Sequence, residues 1–486
     1  MSKTAMPARD GPSRLPLLNK IAYGFGSVAY GVKDSGFGYF LLLFYGAVIG
    51  LDGRLVGLAL LFILVFDAIS DLIVGYISDN WRSKWGRRHP FMYAAAIPVP
   101  LSFYFLWNPP DWSHEALLVY LVCLAALIRT FITIYETPSS ALLPELARDY
   151  DERAKLQAFR IYFGWTGGNA MSVIGFGVIF AVTADNPDGL MSRDAYANFG
   201  LLGSILIFLA IMLSAWGTHS RIPTFEAPPP KRKLTVGKIF GEIFETLRDR
   251  SFAALFAATL LGGMATGVAA GLTFLVSSFF WEFSELQIFF SLVLVMGSAV
   301  MGGVFAPIAV RWFGKKRAVI IVGALAFGIA PLGVALRLMG LMPENGDPIL
   351  YPLVVGLNTI DVALIIAGQA ILYSMIADLV EVSELKTGRR SEGVFYAAVT
   401  FIRKSSQGMG AVGAGFVLAF AALPENPQRG EVAADALFRL GLGYAPTLWL
   451  LWTLMLISIS FYKVDREGHN RNLAELAKRK AEAVTN

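Results

Sequence analysis

Apolar runs of about the 20 residues that a helix needs to cross a bilayer recur along almost the whole of this chain. They fall near 21–50, 54–79, 90–108, 115–143, 157–183, 197–218, 252–281, 285–312, 317–340, 349–380, 394–422 and 441–463. Only 16% of the residues are charged and 55% are hydrophobic, where a soluble domain carries about 25% charged residues. The chain therefore reads as an integral membrane protein with twelve spanning helices. Glycine and proline interrupt several runs, at Gly36 and Gly38, at Pro98 and Pro100 and at Pro138. This predicts tilted, bent helices around a cavity.

The net charge of +5 would suit a nucleic-acid partner, but its distribution argues against one. Basic residues cluster in alternate connections: Arg82, Lys84, Arg87 and Arg88, then Arg148, Arg153 and Lys155, then the middle loop, then Lys315, Lys316 and Arg317. The other connections hold little beyond Arg54, Arg193, Arg429 and Arg439. By the positive-inside rule this predicts a multi-pass protein of the cytoplasmic (inner) membrane with both termini in the cytoplasm. The first twenty residues lack the apolar stretch of a cleavable signal. Cys123 is the one cysteine, and the four histidines are scattered, so neither a disulfide nor a histidine or thiolate metal site is expected.

The longest polar break, about 220–250, contains TFEAPPPKRKL and divides the chain into an N-terminal six-helix unit, 1–219, and a C-terminal one, 251–463. A charged tail, 464–486, is expected to be cytoplasmic. GYISDNWRSKWGRRHPF at 75–91 has a counterpart in APIAVRWFGKKRAVI at 306–320. Each places a glycine and paired basic residues in a turn after the second span of its half. Two such halves predict a rocking two-bundle transporter with its site near the midplane.

Charges inside the spans mark the candidate site, because each is costly in lipid unless paired, hydrated or ion-bound. Asp67 and Asp71 are four apart in FDAISD and so share a helix face, with Ser70 on the same turn. Two anions cannot satisfy each other. Oxygen donors without histidine or thiol suit a hard cation such as sodium, and a shared proton is the competing occupant. Further clusters are Lys33 with Asp34, Arg129 with Glu136 and Thr133 between them, and Arg160 with Arg403 and Lys404. For any one of these residues a structural salt bridge is the competing explanation. GFGSVAYGVK at 24–33 lacks the ending of a phosphate loop and lies within a span. ADLVEVSELKTGRRSEG at 377–393 offers alternating charges, suited either to inner-gate salt bridges or to a solvated loop.

YGFGSVAYGVKD (23–34), FDAISD (66–71), SDNWRSKWGRRHPF (78–91), TIYETPSSALLPEL (133–146) and FIRKSS (401–406) together resemble the glycoside-pentoside-hexuronide:cation symporters. These form the melibiose-permease-like branch of the major facilitator superfamily. The resemblance spans both halves. It implies an all-α major facilitator fold of twelve transmembrane helices in two pseudo-symmetric six-helix bundles. It also implies a cation site of Asp67, Ser70, Asp71 and Thr133, taking sodium or a proton. Asp34 and Glu136 match the acids that bind sugar hydroxyls, Arg160 the arginine near the sugar, and Lys404 the lysine linking the halves. Ser140 stands where melibiose permease has a stacking tryptophan, and Glu136 replaces an aspartate. Tyr30, Tyr39, Tyr135 and Trp165 are candidate replacements for the stacking surface.

The expectation is thus a monomeric cation-coupled symporter embedded in membrane lipid, with no resident cofactor and no nucleic-acid partner, importing a glycoside or related sugar by alternating access. The alternative is the sodium-dependent lysophospholipid branch of the same family, in which the lysine would face a phosphate. Asp34 and Glu136 favour a polyhydroxy substrate, since nearby anions would repel a phosphate. A passive facilitator has no need of the aspartate pair. An enzyme would need a nucleophile and base, for which the midplane charges supply no set.

Overall fold

Bilayer-length apolar segments satisfy their backbone polar groups internally as helices, and the computed structural model is built of helices. It describes residues 15–147, 150–184, 186, 188–225, 250–387, 392–424 and 427–462. The first span joins α1 (Leu17–Phe25), α2 (Ser27–Ser35) and α3 (Leu41–Leu43) through π-helical Gly36–Phe40 and Phe44–Val48. α4 is Gly53–Asn80, α5 and α6 are His89–Ala95 and Pro98–Leu106, and α7 is His114–Ala141, followed by the short α8, Leu143–Leu146. α9 (Tyr150–Ile174) continues into π-helical Gly175–Ile179, and α10 is Arg193–His219. In the second half, α11 (Arg250–Leu275) runs into π-helical Val276–Phe280. α12 (Glu285–Ile329), α13 (Leu332–Leu338), α14 (Leu350–Thr387), α15 (Glu392–Ala421) and α16 (Ala434–Ser460) follow. Six stretches among the described residues are long and apolar enough to cross a membrane, one of them the 54-residue Glu285–Leu338.

That long stretch is two spans. Gly314 breaks it with φ 73° and ψ 161°, a left-handed backbone that glycine adopts without the Cβ penalty. The matching turn of the first half has Gly86 at φ 74°. Each turn is then pinned. Arg87 pairs with Glu145 at 2.7 Å and Arg88 donates to Ser78 Oγ at 2.9 Å, while Lys316 donates to the Ser460 and Tyr462 carbonyls at 2.9 and 2.6 Å. The glycine-plus-basic repeat of the sequence thus builds the same device twice.

The expected bends occur where glycine or proline weakens the helix. Gly36 opens a π-helical turn, and the third span breaks between Ala95 and Pro98. α7, in contrast, continues through Pro138 to Ala141. α14 extends to Thr387, beyond the expected end at 380; the side chains of Asp378, Glu381 and Glu384, and all of Arg389 and Arg390, lie outside the described residues. Most of the middle loop, 226–249, and the tail from 463 also lie outside them.

Helices of the first half pack chiefly on one another, as do those of the second. Among the described residues the two groups meet on the side opposite the basic turns. Phe274 of α11 packs its ring, tilted, against Phe40 at 4.8 Å and Phe176 at 4.5 Å, joining a cluster with Phe180, Tyr196 and Phe199. α4 and α15 cross so closely that a Cβ on Gly415 would lie 2.2 Å from the Gly53 carbonyl, and one on Gly57 2.9 Å from that of Ala411. Lipid gives no hydrophobic drive between helices, so such small-residue contacts let backbones pack.

Candidate functional site

The fold brings the second and fourth spans together so that Asp67, Asp71 and Thr133 converge. Thr133 Oγ1 lies 3.0 Å from Asp67 Oδ1 and 2.8 Å from Asp71 Oδ1. Asp67 and Thr133 are buried. A hydroxyl has one proton to donate, so it satisfies only one of the two carboxylates at a time. The second contact is oxygen against oxygen unless positive charge lies between them. Ser70 is buried beside the pair, but its hydroxyl donates to the Asp67 backbone carbonyl at 2.9 Å, leaving its lone pairs as the part able to meet a cation.

Arg129, one helical turn before Thr133, reaches across to the second span. Its Nη1 lies 3.4 Å from Asp67 Oδ2 and its guanidinium sits 5.0 Å from the Phe37 ring. The α4–α7 packing thus supplies a tethered cation on the outer edge of the aspartate pair. Sequence spacing alone linked Arg129 to Glu136 because they share a helix; the cross-helix pairing had no local signal.

The residues expected to meet substrate form an adjoining charge network. Lys33 is ion-paired with Asp34, and the two differ in access: the lysine side chain is 4% exposed and the aspartate 35%. Asp34 is therefore the member that can reach a ligand, and Lys33 holds it. Glu136 lies within electrostatic reach of Lys33, Tyr30 and Arg160, and Lys33 in turn of Arg129. Arg160 donates to Ser140 Oγ at 2.6 Å and lies 5.6 Å from the Tyr23 ring and 5.9 Å from that of Tyr30. Ser140, in place of a bulky ring, leaves room for this guanidinium.

Among the aromatic candidates, Tyr30 joins the site. Tyr39 lies 5.8 Å from Phe274, Tyr135 is fully buried, and Trp165 is exposed. Tyr23 was not foreseen. Its ring faces Arg160 and its hydroxyl donates to the Ser139 carbonyl at 3.1 Å, contacts that only the approach of the first span to α7 and α9 creates. Lys404 belongs to α15, but its side chain, like that of Arg403, lies outside the described residues.

The site sits within crossing membrane helices, and the family and structural matches place the chain among integral membrane transporters of the major facilitator fold. The chain belongs to the family described as MFS/sugar transport protein, whose model matches residues 22–466, in its glycoside-pentoside-hexuronide branch. It is 25% identical over 541 residues to an uncharacterized symporter of Synechocystis, covering 94% of this chain and 96% of that one. A glucuronide carrier protein homolog of Escherichia coli is 25% identical over 470 residues, covering 95% of each. Among solved structures, the xylose transporter XylE of E. coli, in a partially occluded inward-open conformation, matches with TM-score 0.58 and 14% identity, covering 91% of this chain and 97% of the other.

Proposed function

We propose that this protein is a cation-coupled symporter that imports a glycoside or related sugar across the inner membrane by alternating access. The observation that carries this reading is the single Thr133 hydroxyl set between two carboxylate oxygens. Two carboxylates converging on one hydroxyl form an oxygen-lined anionic site that suits a hard cation, which gives it a reason to bind one before the carrier closes. Asp67, Asp71, Thr133 and the lone pairs of Ser70 would take sodium, with a proton as the alternative occupant.

The sugar would be held by the carboxylates of Asp34 and Glu136, which accept hydroxyl hydrogens, and by Arg160, which donates. Lys404 would link the two halves. Ion and sugar sites are joined by the charges Asp67, Arg129, Lys33 and Glu136. A cation arriving at Asp67 weakens the hold on Arg129 and so alters the field at Lys33 and its partners. By linkage, the cation must tighten sugar binding by the factor by which sugar tightens cation binding. With the basic turns cytoplasmic, the side on which Phe274 and Gly415 pack against the first half is external.

The test is calorimetric titration of the purified protein with a panel of glycosides and lysophospholipids, with and without sodium. A glycoside whose binding tightens with sodium, an effect absent in Asp67→Asn and Asp71→Asn, is the expected result. Sodium-dependent binding in both variants would remove the ion assignment. A response to lysophospholipid alone would keep it and reject the sugar roles of Asp34 and Glu136.

A further inference from the structure

Asp361 lies in α14 within the apolar stretch IDVALIIAG, far along the chain from every charge in the site above. Its side chain is buried, at 9% exposure, and its Oδ1 meets no hydrogen-bond partner among the described residues. The neighbouring face of α14 is taken up by the eighth span. Ser298 Oγ donates to the Thr359 carbonyl at 2.8 Å, and a Cβ on Gly302 would lie 2.7 Å from the Ala363 carbonyl. On the face of Asp361 itself, Leu357 one turn earlier approaches Gly333, and Gly368 two turns later approaches Val322, both on the ninth span. Tyr444 of α16 lies within electrostatic reach. The carboxyl therefore points into the interior of the second group of helices.

The elements around it supply no counter-charge among the described residues. α11 has no charged residue after Arg250, and α12 keeps its charges at Glu285 and around its central turn, from Arg311 to Arg317. On α13, Arg337 donates to the Pro343 carbonyl at 2.6 Å, and on α16, Arg439 pairs with Asp435 at 3.1 Å. Arg403 and Lys404 of α15 have side chains outside the described residues. Tyr444 is the titratable group that faces it. An isolated carboxylate in such surroundings is far costlier than the neutral acid.

We propose that Asp361 is a proton-binding site in the second half of the carrier, holding its proton while spans 9, 10 and 12 are packed and giving it to water only when they part. The O–H bond breaks heterolytically, the proton passing to water and the charge staying on the carboxylate. pH then acts on the second half independently of the ion site at Asp67 and Asp71, whatever ion and substrate that site serves.

Two measurements on the full chain in lipid nanodiscs test this. Infrared spectra near neutral pH should contain a protonated-carboxyl C=O band that Asp361→Asn removes. Thermal stability of the wild type should fall as pH rises from about 4, the ordinary aspartate value, until the buried acid ionises, and level off above that pH, while the variant lacks this fall. A band and a stability profile unchanged by the substitution would overturn the proposal. Should Asp361→Asn fail to fold, Tyr444→Phe carries the test. Loss of a hydroxyl able to steady the carboxylate should move the wild-type midpoint to higher pH, and an unmoved midpoint would count against the site.

Discussion

Thr133 has two acceptors for one proton, and that mismatch sets what each substitution near it should do. Thr133→Val removes an oxygen ligand from between the aspartates. A hydrogen bond or ligand contact to a charged group contributes about 1.5–3 kcal/mol, so cation affinity should fall at least tenfold, while Thr133→Ser should keep it. Sodium titrations followed by intrinsic tryptophan fluorescence would measure both; equal losses in the two variants would show that packing, not the hydroxyl, matters. Arg160→Lys probes the second cluster. Lysine cannot reproduce a planar guanidinium beside Tyr23 and Tyr30 while bonding Ser140. Substrate affinity should drop about tenfold or more, with cation affinity in the absence of substrate unchanged. Asp67, Ser70 and Asp71 were legible in the sequence because FDAISD places them on one helix face, and Thr133 through the family resemblance. The Arg129–Asp67 pair, the Tyr23 ring and buried Asp361 were not, since each gains its meaning from a neighbouring helix.

At the scale of elements, glycine does two jobs here that differ physically. At Gly86 and Gly314 it permits a left-handed turn, so alanine at either position should cost about 1 kcal/mol and lower the melting temperature without altering substrate selectivity. At Gly415 and Gly57 it permits the crossing of α4 and α15. Gly415→Leu would drive a side chain into the Gly53 backbone, which lies 2.2 Å from where its Cβ would be. That clash exists only while α4 and α15 are packed together. Spin-label distances across the outer face should therefore lengthen in Gly415→Leu; distances identical to wild type would mean that the seam does not report the conformational state. Span positions were readable from hydropathy, and the paired basic turns from their repeat. The π-helical turns in the first, fifth and seventh spans were foreshadowed in the first span alone, by Gly36 and Gly38, since backbone hydrogen-bond register leaves little compositional trace.

For the whole molecule, the contacts that close one side are aromatic and small-residue packing between the halves: Phe274 against Phe40 and Phe176, and α4 against α15. The ion site, by contrast, lies within the first half. Its occupancy can bias the equilibrium between conformations only through differential binding. Substrate and cation titrations performed in both orders should yield the same coupling factor, and it should collapse toward one in Arg129→Gln if the charge chain carries the coupling. The sequence by itself determined that this is a membrane-embedded bundle of helices with carboxylates placed too deep to be incidental. Hydropathy and helical spacing are local properties, so they can be read from the chain. Only the tertiary structure decided that Asp67 and Asp71 share Thr133 with Arg129 alongside, that Tyr23 and Ser140 flank Arg160, and that Asp361 has no ionic partner among the described residues. Those relations depend on how helices distant in sequence cross, where a shift of one residue along a helix turns a side chain through about 100° and changes its partners.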